Sequence, residues 1–263
     1  MESSGYSDWA IGMTKDQPRE YPPVFLISPE AAEHLYQFMR LFWEERLGQK
    51  LTAKQKKDLL NQYEKAMEKP HLAPIRDTIL GIHRQVRASG LEFSMLELGA
   101  ANGSIVHFID KQVGLDGVRY VGIEPWAPFV KDFRARFPGQ TMIQANIDQA
   151  IELSAEDLGA DSFCVFLASL VFCMVEPDRV RRFIERISGL CNCLIIQDTI
   201  INSRAQHSPD KVVMFPFNPW GIQFYFANPF EVILKEFGYR VVSSWDMPPL
   251  EGKHGWSTFI AIK

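Results

Sequence analysis

Apolar residues first fall into helical register after residue 28. Ala31, Leu35, Phe38, Met39, Phe42 and Trp43 make one stripe, which predicts a helix over 29–47. Ser28 is placed to cap it, and Pro29 occupies the first turn, where a missing N–H costs nothing. A second helix is predicted from Thr52, because Thr52-Ala-Lys-Gln55 has capping-box spacing and Leu59, Leu60, Tyr63 and Met67 follow on one side. A third runs over 74–89 through Ile75, Ile79, Ile82 and Val86, and Gly90 suits its end. The lead-in, 1–27, carries Gly5, Pro18, Pro22 and Pro23 and reads as extended.

From Phe93 the pattern changes. Short apolar strands at 93–98, 119–123, 141–144, 162–168 and 193–198 alternate with helices at 104–112, 127–137, 151–158 and 177–190. Such alternation predicts a parallel sheet covered on both faces. The end differs: a helix over 229–237, then strands 239–245 and 257–262 joined by a Pro/Gly turn, which must run antiparallel. The expected architecture is α/β, a seven-stranded mostly parallel sheet with an antiparallel C-terminal hairpin and a helical N-terminal cap. The expected division is 1–73 for the extension and cap, and 74–263 for the sheet domain.

Composition narrows the partners. Hydrophobic residues make up 46% of 263, enough for a large core. A net charge of −4 gives no general attraction to nucleic acid or anionic lipid, and Lys54, Lys56 and Lys57 read as a solvated helix face. Residues 1–10 have no secretory pattern, and the longest apolar run, 163–175, is too short to span a bilayer. Cys164, Cys173, Cys191 and Cys193 sit in strand-like surroundings, as reduced core cysteines do, so a cytoplasmic location is expected. Cys191-x-Cys193 lacks the spacing and the partner pair of a metal site, and no metal is expected.

The chemistry concentrates in Leu96-Glu-Leu-Gly-Ala-Ala-Asn-Gly-Ser104, which follows a buried strand and opens a helix. Neither the G-x-G-x-x-G dinucleotide fingerprint nor a phosphate loop is present. Here the chain resembles the class I S-adenosylmethionine (SAM)-dependent methyltransferases, whose first motif is an acidic residue, a spacer, then G-x-G-x-G. Gly99 and Gly103 match the outer glycines, and Ala101 stands where the family usually has the middle one. The resemblance covers roughly 75–263 and implies a Rossmann-like fold. It also implies that Glu97 orders the loop or meets the cofactor's amino group, while backbone N–H groups near Gly99 and Gly103 face its carboxylate.

The family's second acid corresponds to Glu124, 27 positions after Glu97, which the resemblance places on the ribose hydroxyls; a helix-start role is the alternative. Pro125, with Trp126, would lie against the adenine. At the third strand end the family carries an acid and an apolar residue, and Asn146-Ile147 match by position, with Asp148 two places late. Either polar side chain accepts a hydrogen bond from the adenine amino group, or caps the helix that follows. Ala168 and Ser169 correspond to positions that line the cofactor cleft.

The loops after Asp198 and Asp246 open at the same sheet edge. His207 and His254 are the general-base candidates, although the more ordinary reading of each is an exposed or structural histidine, and Asp198 and Tyr225 are weaker alternatives. Asp198, Trp220 and Tyr225 are the candidate acceptor contacts. The aromatic run Phe215, Phe217, Trp220, Phe224, Tyr225 and Phe226 suggests a lid, or packing against the N-terminal helices. The expected function is SAM-dependent O- or N-methylation of a small-molecule acceptor, without nucleic acid or membrane, and with the oligomeric state open. Aminopropyl transfer on the same fold is disfavoured by Ala168-Ser169, where those enzymes carry paired acids. A non-catalytic SAM-binding scaffold is the reading from another class.

Overall fold

The computed structural model describes residues 25–46, 51–199, 212–217, 223–247 and 256–263. Their strands are β1 (Phe25–Ile27), β2 (Phe93–Leu98), β3 (Val118–Glu124), β4 (Thr141–Gln144), β5 (Val165–Ser169), β6 (Cys193–Thr199), β7 (Val212–Phe217), β8 (Gln223–Phe226), β9 (Arg240–Met247) and β10 (Trp256–Ile262). Seven form the central sheet in the order β4-β3-β2-β5-β6-β10-β9. β2 through β6 pair in parallel, and β10 runs antiparallel to both β6 and β9. The expected sheet and its closing hairpin are present.

The α-helices are α1 (Pro29–Leu41), α2 (Ala53–Glu64), α3 (Ala73–Ala88), α4 (Ser104–Val113), α5 (Ala127–Arg136), α6 (Ile147–Glu152), α7 (Pro177–Ser188) and α8 (Phe230–Glu236). They divide between the sheet's faces according to strand alternation. Leu96, Leu98, Phe166 and Ala168 point to one face and pack with Ala32 and Tyr36 of α1, α6, α7 and α8. Phe93, Met95, Val165 and Leu167 point to the other, against Ile75 and Ile79 of α3, Ile105 and Ile109 of α4, and Phe133 of α5. A smaller cluster, Phe42, Leu59, Ala101, Trp126 and Phe129, seats the first two helices on the sheet's carboxyl edge.

Caps whose partners are chain neighbours form as the sequence predicts. Both halves of the Thr52/Gln55 capping box form, and Ser28 caps α1. Three elements differ from expectation. α6 covers Ile147–Glu152 rather than 151–158, because Asn146 and Gln149 make a reciprocal capping box that starts the helix earlier. α1 buries Ala32, Tyr36 and Met39, and a π-helical turn, Phe42–Arg46, follows it. The aromatic segment after β6 is not wholly loop: β1, β7 and β8 make a second, three-stranded antiparallel sheet. Pro216 obscured β7 in the sequence. β1 covers β7 only as far as Met214, so Pro216 lies where β7 has one partner and a missing N–H is tolerated.

Cys164, Cys173, Cys191 and Cys193 are free thiols. No helix among the described residues is long and apolar enough to cross a membrane.

Candidate functional site

The site grows from the end of β2. After Leu98 the chain turns through Gly99 (φ 70°), Ala101 (φ 47°) and Gly103 (φ 81°) before entering α4. Two glycines are required by space as well as by φ. A Cβ on Gly99 would stand 2.2 Å from Val171 Cγ2, and one on Gly103 would stand 2.5 Å from the Phe133 ring. Ala101 keeps the left-handed conformation without glycine's freedom, which costs about 1 kcal/mol. Ala101→Gly is therefore expected to raise stability by about 0.5–1 kcal/mol in urea denaturation. An unchanged or lower midpoint would show the turn to be unstrained.

Glu124 holds the turn. Its Oε2 accepts from the Ala101 N–H and its Oε1 from the Trp126 N–H, both at 2.9 Å. Glu97 lies beside it, accepting a short hydrogen bond from the Tyr120 hydroxyl. Both carboxylates are buried, yet both face a cleft of about 310 Å³ at the carboxyl ends of the strands.

Burial pushes the two acids up, Glu97 to about 8 and Glu124 to about 7. The Tyr120 hydroxyl opposes the rise at Glu97, as the Trp126 and Ala101 N–H groups do at Glu124. With folded values above the ordinary 4.5, the folded chain holds these protons more tightly than the unfolded chain. Their contribution to stability is complete below the ordinary value and is lost as pH rises through 7 to 8. The urea midpoint of the free protein is thus expected to fall between pH 5 and pH 8. Glu97→Gln should reduce that slope by up to about 1.4 kcal/mol per pH unit. Equal slopes in both proteins would exclude a proton held at Glu97.

The remaining walls come from two sources. Pro125, Ala145, Asn146 and Ile147 line one end, and Ser169, Leu170, Val171 and Gln197 line another part of the cleft. Leu170 has φ 57°, and Ala101 and Leu170 are the two non-glycine residues with positive φ among those described. Both line the cleft. Strain of this kind persists where surrounding structure enforces it, often at functional sites. Ser169 donates to Gln197 Oε1 at 2.9 Å, and Gln197 donates onward to Thr258.

The second source is the N-terminal cap: Tyr36, Met39, Arg40, Trp43, Glu44, Tyr63 and Met67 also line the cleft. Helical spacing marks Met39, Trp43, Tyr63 and Met67 only as core, and it carries no signal for Tyr36 or Glu44. Tyr63 is pushed up to about 12 by burial and by the charge of Glu124. Trp43 Nε1 is buried without a hydrogen-bond partner among the described residues.

Of the expected cofactor residues, Glu97, Gly99, Ala101, Glu124, Pro125, Asn146, Ile147 and Ser169 come together on this cleft. Gly103, Asp148 and Ala168 are not among its lining residues. Gly103 lies against Phe133, and Ala168 is buried in the core. Asp148 is committed elsewhere, accepting from the Tyr36 hydroxyl at 3.1 Å and from Arg179 Nε at 2.6 Å. Asn146 takes the helix-capping role, with Oδ1 accepting from the Gln149 N–H at 3.0 Å. Asp198 is buried off the cleft and accepts from the Cys173 thiol. Burial pushes the Tyr225 hydroxyl up, with the Cys173, Asp198 and Tyr63 charges adding to the rise. His207, Trp220 and His254 lie outside the described residues.

No family model matches the chain, and no curated protein does. Solved structures do. The magnesium protoporphyrin IX methyltransferase of Synechocystis PCC 6803, with bound SAH, superposes with a TM-score of 0.51 at 10% identity, over 87% of this chain and 99% of its own. The CurJ carbon methyltransferase gives 0.52 at 12% identity, over 88% and 67%. A SAM-dependent methyltransferase from Clostridium acetobutylicum ATCC 824 gives 0.50 at 9% identity, over 78% and 98%. At such identities the likeness is one of fold. The chain has the fold of the class I SAM-dependent methyltransferases.

Proposed function

We propose that this chain binds SAM in the cleft and transfers its methyl group to a small-molecule acceptor. The observation that carries the reading is the strained turn 99–103. It is tied to Glu124 and opens, with buried Glu97, on a cleft at the carboxyl edge of the sheet. Such an edge is where open α/β sheets place ligands.

The residues fit the group. Glu97 offers a buried carboxylate to an ammonium, whose charge would favour the ionised acid. The start of α4, where Ser104 lines the cleft, suits a carboxylate, and the free lone pairs of Glu124 accept from a ribose. Pro125, Ala145 and Ile147 give an apolar slot for a planar base, with Asn146 at its edge. When bound, the sulfonium supplies an electrophilic methyl for in-line displacement. Alignment and exclusion of water then fall to the chain, through Tyr36, Met39, Trp43 and Tyr63 of the cap. Leu170, Met174 and Val175 present apolar surface beside Ser169 and Gln197, which suits a small, partly apolar acceptor. Where the acceptor atom carries a proton, His207 and His254 are the proposed bases. Trp220 is a proposed acceptor contact, and Asp198 and Tyr225 are proposed to support that wall from behind. The 1–73 segment is proposed to act as the cap and 74–263 as the SAM-binding domain.

Calorimetry with SAM, S-adenosylhomocysteine and decarboxylated SAM tests the reading, followed by an acceptor screen with methyl-labelled SAM. Single-site binding of the first two and label transfer to a small molecule are expected. Tighter binding of the decarboxylated form would favour aminopropyl transfer. Binding of SAM without transfer to any acceptor would favour a scaffold.

A further inference from the structure

We propose that Glu44, carried by the N-terminal cap, is the residue that recognises the amino group of the bound cofactor's base. The proposal rests on the SAM-binding reading above. An exocyclic amino group donates hydrogen bonds, so it needs an acceptor at the edge of the base slot. The cleft orders its own contents. On that reading the neighbouring strands β2, β3 and β4 set them out in turn: the ammonium with Glu97, the ribose with Glu124, and the base with Pro125, Ala145 and Ile147.

At that end the sheet domain offers neutral amides, Gln144, Asn146 and Gln149, and no carboxylate among the described residues. Asn146 Oδ1 is a neutral acceptor already capping α6 through the Gln149 N–H, and its amide nitrogen is a donor, the wrong polarity. Both oxygens of Asp148 are held by Tyr36 and Arg179, away from the cleft. The carboxylate that does reach this corner comes from the π-helical turn after α1. Glu44 lines the slot together with Pro125, Ala145 and Asn146. Its Oε1 accepts from Asn146 Nδ2 at 2.8 Å, and its Oε2 accepts from Arg40 at 3.3 Å. Each oxygen retains a lone pair, and Glu44 keeps about 20% side-chain exposure. Asn146 and Arg40 thus aim Glu44 into the slot, and the π-helical turn sets its position. A π-helical turn adds a residue to the helical repeat and redirects the side chains after it.

Calorimetry with S-adenosylhomocysteine and its 6-deamino analogue, in which purine replaces adenine, isolates this hydrogen bond. The wild-type protein is expected to prefer the amino compound by about 10- to 30-fold. Glu44→Leu, which keeps bulk and removes the acceptor, should bring the two within about threefold. Glu44→Gln, a neutral acceptor, should give an intermediate ratio. Circular dichroism establishes that each variant folds, and the glutamine variant decides the matter if leucine disturbs the turn. Equal weakening of both compounds, or no weakening, would overturn the role of Glu44. A wild-type protein that binds neither compound would overturn the SAM reading on which it rests.

Discussion

Replacing Gly99 by valine is expected to cost about 3–5 kcal/mol of stability and to abolish cofactor binding. The Cβ alone would stand 2.2 Å from Val171 Cγ2, and Val171 is too short to swing far aside. The φ of 70° adds backbone strain that a β-branched side chain bears worse than alanine. The turn would have to open, moving the Gly99 and Ala100 N–H groups off the Ile123 carbonyl and Ala101 off Glu124. Urea denaturation and calorimetry with S-adenosylhomocysteine measure the two effects together. A valine variant with native stability and native affinity would show that the turn is not held as described.

Replacing Arg179 by alanine is expected to cost about 2–4 kcal/mol and to release α1 from the sheet domain. One guanidinium makes every contact of this clamp. Nη1 meets Glu33 at 2.5 Å and Glu176 at 2.9 Å, Nε meets Asp148 at 2.6 Å, and the plane lies 4.1 Å over the Tyr36 ring. The arginine side chain is 15% exposed, whereas Glu33 and Asp148 are 44% and 36% exposed, so water repays part of the loss. Arg179→Lys keeps the charge but loses the planar, multidentate geometry and should recover less than half. Amide exchange across 29–41 is the direct measurement. Faster exchange there, with the central sheet still protected, is expected. Equal exchange in the wild-type and alanine proteins would mean that apolar packing alone seats the cap.

These two sites differ in how far the sequence exposed them. The glycine turn was legible because its signals are local: a buried strand, small residues at fixed offsets, and a helix start. Glu124 was legible by position, at the end of the next strand. Its partners were not, since the N–H of Ala101 is offered only after the chain has turned left-handed. Asn146 and Asp148 carried two readings each. The structure gives Asn146 a local role as the cap of α6 while it still lines the cleft, and gives Asp148 a tertiary one as an anchor for Arg179 and Tyr36. Apolar spacing alone puts the helix after β4 four residues late, because the Asn146/Gln149 capping box sets its start. Pro216 hides the second sheet, since a proline argues against a strand, yet here it lies past the end of β1, where β7 has β8 alone as partner.

By itself, the sequence determined the parallel sheet, its antiparallel hairpin, the turn at 99–103 and the two buried acids, since each follows from periodicity, steric freedom or adjacency along the chain. Only the tertiary structure decided that Tyr36, Trp43, Glu44 and Tyr63 enclose the cleft and that Asp148 does not. Helical spacing shows that a face will be buried, not what will cover it. Glu44 meets Asn146 across 102 positions, and Arg179 meets Glu33 across 146. A carboxylate's task is set by whichever donors such distant segments bring to it, and no local pattern records their arrival.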